Sequence, residues 1–284
     1  MSEASSWREV LADVTAALGD EREARFMCEH AAGLNATEFN EALSDAVTQR
    51  MGLHVQNMVG RRLGGEPLQY VLGRWAFRHL DLLVDRRVLI PRPETELVAE
   101  AALEFASVAR PTRVVVDLGT GSGAIGLTLA QELPLSGTTV WLTDASPDAL
   151  DVARANLAGI GRAGANVRIV EGDWYAALPE SLRGTVDVIV ANPPYIARDD
   201  KAVEPSVVDY EPHTALFADD DGLAALRTII GGARHWLNEN GAIVLEIGHR
   251  QGTVVCEMLN AAGLHDVSIR RDLAGHDRIA VARA

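Results

Sequence analysis

From Arg113 onward the chain alternates short apolar runs with helix-patterned segments, and this alternation constrains the fold more than any other feature. The runs Arg113–Asp117, Thr139–Asp144, Val167–Glu171, Val186–Ala191 and Ala242–Ile247 are short and rich in apolar residues, above all Val, Ile and Leu. Between them, helical patterns cover 124–133, a stretch opening at Ser146-Pro147, 222–237 and 252–262. Strands that are apolar on both faces need cover on both faces, and β-α-β order supplies it through a parallel sheet with helices on each side. Two further strands, near 266–269 and 278–282, follow one another with no helix between them, which predicts an antiparallel edge.

The first 70 residues have a different texture. Trp7, Val10, Leu11, Val14 and Leu18 fall on one helical face, with Gly19-Asp20 as a stop. Helices are also predicted over 21–32, from Thr37-Glu38, and over 44–63, ending at Gly64-Gly65. Phe77, Leu80, Leu82 and Val84, with Val88, Leu89 and Ile90, flank Asp85-Arg86-Arg87 and read as a hairpin. Pro91-Arg92-Pro93 then opens a helix with acids in its first turn. The expected organisation is a helical domain over 1–73, a hairpin linker over 74–92 and an α/β domain over 93–284.

Composition narrows the function. A chain of 284 residues with 48% hydrophobic content buries a substantial core, which excludes global disorder. No apolar run approaches the ~20 residues that span a bilayer, and the N-terminus has no basic start followed by an apolar stretch, so a cytoplasmic protein is expected. Cys28 and Cys256 stand far apart, and His213, His235, His249 and His276 share no ligand spacing, so neither a disulfide framework nor a metal site is expected. Forty acidic against 26 basic residues give a net charge of -14, where a duplex nucleic-acid binder usually has a basic excess. A small cofactor or a basic protein partner suits that charge better.

Three motifs carry chemistry. Asp117-Leu-Gly119-Thr120-Gly121-Ser122-Gly123 joins a strand to a helix, where small residues let a nucleotide-like ligand approach the backbone. Asp144 ends the next strand, where an acid can bind ribose hydroxyls or take part in the Ser146 cap. These two features point to an adenosine cofactor without separating NAD from S-adenosylmethionine. Asn192-Pro193-Pro194-Tyr195 separates them. The Asn192 oxygen and a neighbouring carbonyl can accept both hydrogens of a planar –NH2 group, and Tyr195 offers a face to stack against it.

With DLGTGSG, TDAS, EGDW and NPPY together, the chain resembles class I S-adenosylmethionine-dependent methyltransferases acting on a planar amino or amide nitrogen. RRLGGEPLQYVLG at 61–73, LIPRPETE at 89–96 and YEPHTAL with DGLAALR within 210–227 resemble the release factor glutamine methyltransferases. That resemblance implies a Rossmann-like seven-stranded methyltransferase sheet behind a helical substrate-recognition domain. It implies S-adenosyl-L-methionine as cofactor, lined by Gly119, Thr120, Gly121, Ser122 and Gly123, with Asp144 on the ribose and Trp174 beside the adenine. Asp173 would reach the adenine amino group. Asn192 would touch cofactor and substrate, and Asn192, Pro193, Pro194 and Tyr195 would hold the substrate glutamine, with Asn192, Pro193 and Tyr195 as the catalytic set. The implied reaction is N5-methylation of the Gly-Gly-Gln glutamine of class I peptide chain release factors, with no direct nucleic acid or membrane partner. A ribosomal-protein glutamine methyltransferase shares fold, cofactor and target group. An adenine-N6 DNA methyltransferase shares NPPY, and a non-catalytic binding module is the remaining alternative. Arg92, Glu94 and Glu246 stay open between packing and function.

Overall fold

The computed structural model describes residues 5–107, 111–200 and 203–284. The chain divides into two compact units: one runs to Gly73 and takes in Pro205–Tyr210, and the other comprises Arg74–Glu204 and Glu211–Ala284.

The first unit is helical: α1 (Trp7–Leu18), α2 (Glu21–Ala32), α3 (Ala36–Glu41), α4 (Gln49–Leu63) and α5 (Leu68–Leu72). Ser6 and Glu9 form a capping box at the start of α1, so two otherwise orphaned N–H groups find acceptors. Helix α4 begins later than the periodicity suggests. Thr48 caps it by accepting from the Met51 N–H, and Ser6 bridges to Ala46 in the stretch before it. Trp7 and Phe39 meet edge to face at 5.5 Å in a core shared with Met27, Cys28, Val55 and Met58. After α4 the Arg61 guanidinium donates to both oxygens of Glu66 and to the Tyr70 and Val71 carbonyls, which folds 61–73 back on itself. The Tyr210 hydroxyl donates to the Gly64 carbonyl at 2.9 Å, which ties the distant segment Pro205–Tyr210 into this unit.

The second unit is built on a seven-stranded sheet. Its strands are β1 (Arg113–Leu118), β2 (Thr138–Asp144), β3 (Val167–Glu171), β4 (Val186–Ala191), β5 (Leu237–Glu246), β6 (His265–Arg271) and β7 (Asp277–Arg283). Their spatial order is β6-β7-β5-β4-β1-β2-β3. Strands β1 to β5 are parallel, and β7 runs antiparallel between β5 and β6. The antiparallel pair expected at the end of the chain is present, but the last strand is inserted and β6 forms the edge. On one face, Val116, Leu118, Ile189, Ala191, Ile243 and Leu245 pack beneath Ala224–Trp236, which contributes Leu226, Ile229, Ile230 and Ala233. On the other face, Pro93–Ala106 lies against β4 and β5 through Val98, Ala99 and Ala102. This is the doubly covered layer arrangement that continuous apolar strands require.

The hairpin differs from expectation. It pairs Arg74–Phe77 with Leu80–Leu83 around Arg78-His79, not around Asp85-Arg86-Arg87. Arg78 adopts the left-handed conformation (φ 50°) that a two-residue hairpin turn demands. Val88–Ile90 is not a strand, and the Ile90 N–H donates to the Glu211 carboxylate at 3.0 Å. The hairpin belongs to the second unit and is fastened there by Asn156, from the helix Pro147–Gly159. The Asn156 side chain accepts from the Leu83 N–H at 2.7 Å and donates to the Leu83 and Ser122 carbonyls at 3.0 and 2.8 Å.

Asn156→Ala would leave these backbone groups without partners in a buried setting. We expect it to lower the unfolding free energy by about 1–3 kcal/mol, measured by urea denaturation.

Candidate active site

Strand order reverses between β1 and β4, and open α/β sheets bind ligands at the carboxyl ends of the strands on either side of such a reversal. The glycine loop leaves β1 at this point and Asn192 leaves β4. A cleft of about 440 Å³ opens there, lined by Gly119, Thr120, Gly121 and Ser122 of the loop, by Asp117, Asp144, Asp173 and Trp174, and by Asn192, Pro194 and Thr95. Pro91 and Pro212, from the two proline-bearing segments, complete one wall.

Asp117 is the buried anchor of the loop. Its Oδ2 accepts from the Thr120 hydroxyl at 2.6 Å and from the Gly126 N–H at 2.9 Å, which ties the loop's start to the helix that follows. Its Oδ1 is buried and has no protein partner. Burial pushes the carboxyl up to about 6, against the lowering effect of these two donors. Sequence reasoning left Asp117 out of the binding set, although the acid that opens the glycine motif was the signal for it.

Asp144 holds both the glycine loop and the start of the next helix. Oδ2 accepts from the Gly121 N–H at 2.9 Å and Oδ1 from the Ser146 N–H at 2.9 Å, so the carboxylate organises the loop and the start of the next helix. Each oxygen keeps a second lone pair, and the residue lines the cleft. Its pKa is raised, mainly by burial.

Two glycines of the motif have distinct roles. Gly119 sits at φ 70°, and a Cβ there would come 3.1 Å from the Trp174 ring, so the indole can lie directly over the loop. Gly123, at φ 87°, is not part of the cleft lining. A Cβ there would meet Leu127 at 2.8 Å, so the absence of a side chain lets helix and strand pack closely.

At the other side of the cleft Asn192 is backed by a polar network, while Tyr195 and Pro193 stand outside the cleft lining. The Tyr195 hydroxyl donates to Glu246 Oε1 at 3.1 Å, and the Arg278 guanidinium lies 6.0 Å from its ring centroid. In that network the Thr95 hydroxyl donates to Glu246 Oε2 at 2.6 Å, and Asn192 Nδ2 donates to the Thr95 oxygen at 3.2 Å. Arg92 pairs with the buried Glu211, which joins the segment before Pro93 to the segment after Tyr210. No sequence rule singled out Thr95 or Glu211, because their partners are more than 90 residues away. Among the described residues no group of three or more His, Cys, Asp and Glu side chains is arranged to hold a metal ion. No helix among them is long and apolar enough to cross a membrane.

Comparison with known proteins agrees with this architecture. Residues 8–73 match the PrmC N-terminal domain family and residues 98–210 the methyltransferase small domain family. The chain is 41% identical over 268 residues to the release factor glutamine methyltransferase of Burkholderia pseudomallei (strain K96243), covering 93% of this chain and 92% of that protein. It is 43% identical over 257 residues to that of Bordetella pertussis, covering 90% and 92%. A crystal structure of a methyltransferase from Pyrococcus furiosus superposes with a TM-score of 0.52 at 20% identity, covering 80% of this chain and 98% of that one, a likeness of fold.

Gly119→Ala would force an L side chain into a left-handed conformation and against the Trp174 ring. We expect a stability loss of about 1–2 kcal/mol by urea denaturation.

Proposed function

The chain belongs to the release factor glutamine methyltransferases, and on that premise we propose that its cleft binds S-adenosylmethionine beside Asn192 and transfers the methyl group to a glutamine side-chain nitrogen of a release factor. The observation that carries this reading is a single cleft lined both by the glycine loop and by Asn192.

The residues fit that cofactor. The unpartnered Oδ1 of Asp117 is a buried acceptor in need of a donor, and the cofactor's cationic amino group is one. The second lone pairs of Asp144 suit a ribose diol. Trp174 gives the adenine a flat apolar neighbour, and Asp173 an acceptor for its amino group. Gly119, Thr120, Gly121 and Ser122 bring backbone within reach of the ribose and methionine parts. When bound, S-adenosylmethionine supplies a methyl group on a positively charged sulfur.

The substrate poses the harder problem, because the lone pair of an amide nitrogen is delocalised into its carbonyl. The protein's task is to hold that nitrogen in line with the bond that breaks, and such positioning contributes about 7–11 kcal/mol in favourable cases. Asn192 and Pro194 line the cleft, and we assign Asn192 Oδ1 and the carbonyl of Pro193, which lies between them in the chain, to accept the two amide hydrogens. Both acceptors strengthen their hold as the nitrogen gains positive charge, which is where binding lowers a barrier. The N–CH3 bond forms as the S–CH3 bond breaks, and the surplus proton leaves the nitrogen for water afterwards. No side chain has to act as base before transfer. Tyr195 is also tied to this site through its hydroxyl, which donates to Glu246.

The substrate we assign is the glutamine of the Gly-Gly-Gln loop in class I peptide chain release factors, modified at N5. The helical unit is assigned recognition of the release factor's body, and the reaction belongs with translation in the cytoplasm. Mass spectrometry of a purified release factor incubated with the protein and S-adenosylmethionine tests this reading. One added methyl group on the loop glutamine, absent from a Gln→Ala control, is the expected result. Transfer to a ribosomal protein in its place would reassign the substrate. Asn192→Ala should lower the rate by roughly 100-fold or more.

The pH dependence follows from Asp117. Its carboxylate must be ionised to pair with a cationic amino group, and burial holds its pKa at about 6. Cofactor affinity should therefore be full above that value and fall as pH drops through it. Calorimetric titrations between pH 5 and 8 should give this slope for the native protein and a flatter one for Asp117→Asn.

A further inference from the structure

An asparagine amide presents either its oxygen or its NH2 group, and only the oxygen can accept a hydrogen from the substrate amide. Something must fix the choice. The chain of contacts behind Asn192 runs Asn192–Thr95–Glu246–Tyr195 and draws on three separate parts of the fold.

We propose that Glu246 is a positioning residue that fixes the Asn192 amide through the Thr95 hydroxyl. This rests on the role given to Asn192 above. The assignment follows from counting hydrogens. A threonine hydroxyl has one proton and an ionised carboxylate has none, so the 2.6 Å contact requires Thr95 to donate to Glu246. The Thr95 oxygen is then left as an acceptor, and the 3.2 Å contact must be donated by Asn192 Nδ2. With its NH2 group committed to Thr95, Asn192 keeps Oδ1 for the cleft. The second oxygen of Glu246 is filled by the Tyr195 hydroxyl, so the carboxylate does not rotate to release Thr95. A protonated Glu246 could donate to Thr95, and Thr95 could then donate to Asn192 and reverse the amide.

The surroundings of Glu246 bear on its charge. Burial raises its pKa above the ordinary carboxylate value and Glu94, on the helix of Thr95, adds to this, while the Thr95 and Tyr195 hydroxyls and Arg278, from β7, favour the ionised form. Arg278 also approaches the Tyr195 hydroxyl at 3.4 Å and donates to the Ile247 carbonyl at 3.2 Å, which keeps a positive charge beside the buried acid.

Methylation of a release factor at saturating S-adenosylmethionine tests this with Thr95→Val, Thr95→Ser, Glu246→Gln and the Thr95→Val/Glu246→Gln double variant, each checked for native melting. Thr95→Val should lose on the order of tenfold in kcat, with cofactor affinity and the KM for release factor little changed. Thr95→Ser, which restores the hydroxyl, should recover most of the rate. The double variant should fall no further than the weaker single one, because both substitutions cut one chain of contacts. A native kcat in Thr95→Val, an equal loss in Thr95→Ser, or losses that multiply in the double variant would each overturn the proposal. If Thr95→Val does not fold, Thr95→Ala carries the same expectation. Asn192→Ala separates the two ideas. Its failure to slow transfer removes the role of Asn192 itself, whereas a slow Asn192→Ala beside a fully active Thr95→Val removes only the role of Glu246.

Discussion

The second unit depends on one buried carboxylate. Asp117 lies near the carboxyl end of β1 and holds the loop and the following helix by one oxygen, so the geometry of the loop is set from inside the protein. Removing a carboxylate from water is costly, and here the cost is offset on one side only, since the second oxygen has no protein partner. A fold organised solely for stability would fill that place with an apolar side chain. Its survival as an acid makes sense when a cationic ligand completes it, and the same group then serves both structure and binding.

A second buried acid governs the opposite side of the cleft by another route. Glu246 has both oxygens satisfied by hydroxyls, and its influence travels outward through Thr95 to Asn192. Glu211 repeats the theme, bonding the Ile90 N–H and Arg92 so that the two proline-bearing segments meet. In each case a short polar contact joins residues far apart in sequence. Each of the three acids thus fixes a loop at the carboxyl edge, where the sheet itself offers no rigid support. The apolar strands below supply the platform, and the acids arrange what stands on it.

Much of this was legible in the sequence because it is local. Continuous apolar runs gave the strands, and Ser146-Pro147 gave the start of a helix that the structure caps through Ser146. The glycine loop and Asn192 fell at strand ends for the same reason. What escaped was non-local or depended on turn chemistry. The hairpin turn is made by Arg78-His79, an unremarkable pair for such a bend, while the more turn-like Asp85-Arg86-Arg87 lies outside the pairing. The bond from the Tyr195 hydroxyl to Glu246 spans 51 residues, and no local pattern announces it. Gly123 belongs to a ligand-binding motif by spacing and to helix packing by contact.

The short helix Pro205–Tyr210 belongs to the helical unit, although the chain on either side of it belongs to the catalytic one. The polypeptide therefore passes between the units at Gly73–Arg74, again at Glu204–Pro205, and again at Tyr210–Glu211. The two units are stitched together by the chain, not strung in series. Exchange of the first 73 residues for another recognition module would strand this helix and leave the Tyr210 hydroxyl without the Gly64 carbonyl. Glu211, which bonds the Ile90 N–H and Arg92, directly follows this helix, so such a graft would reach the carboxyl edge of the sheet through the chain itself.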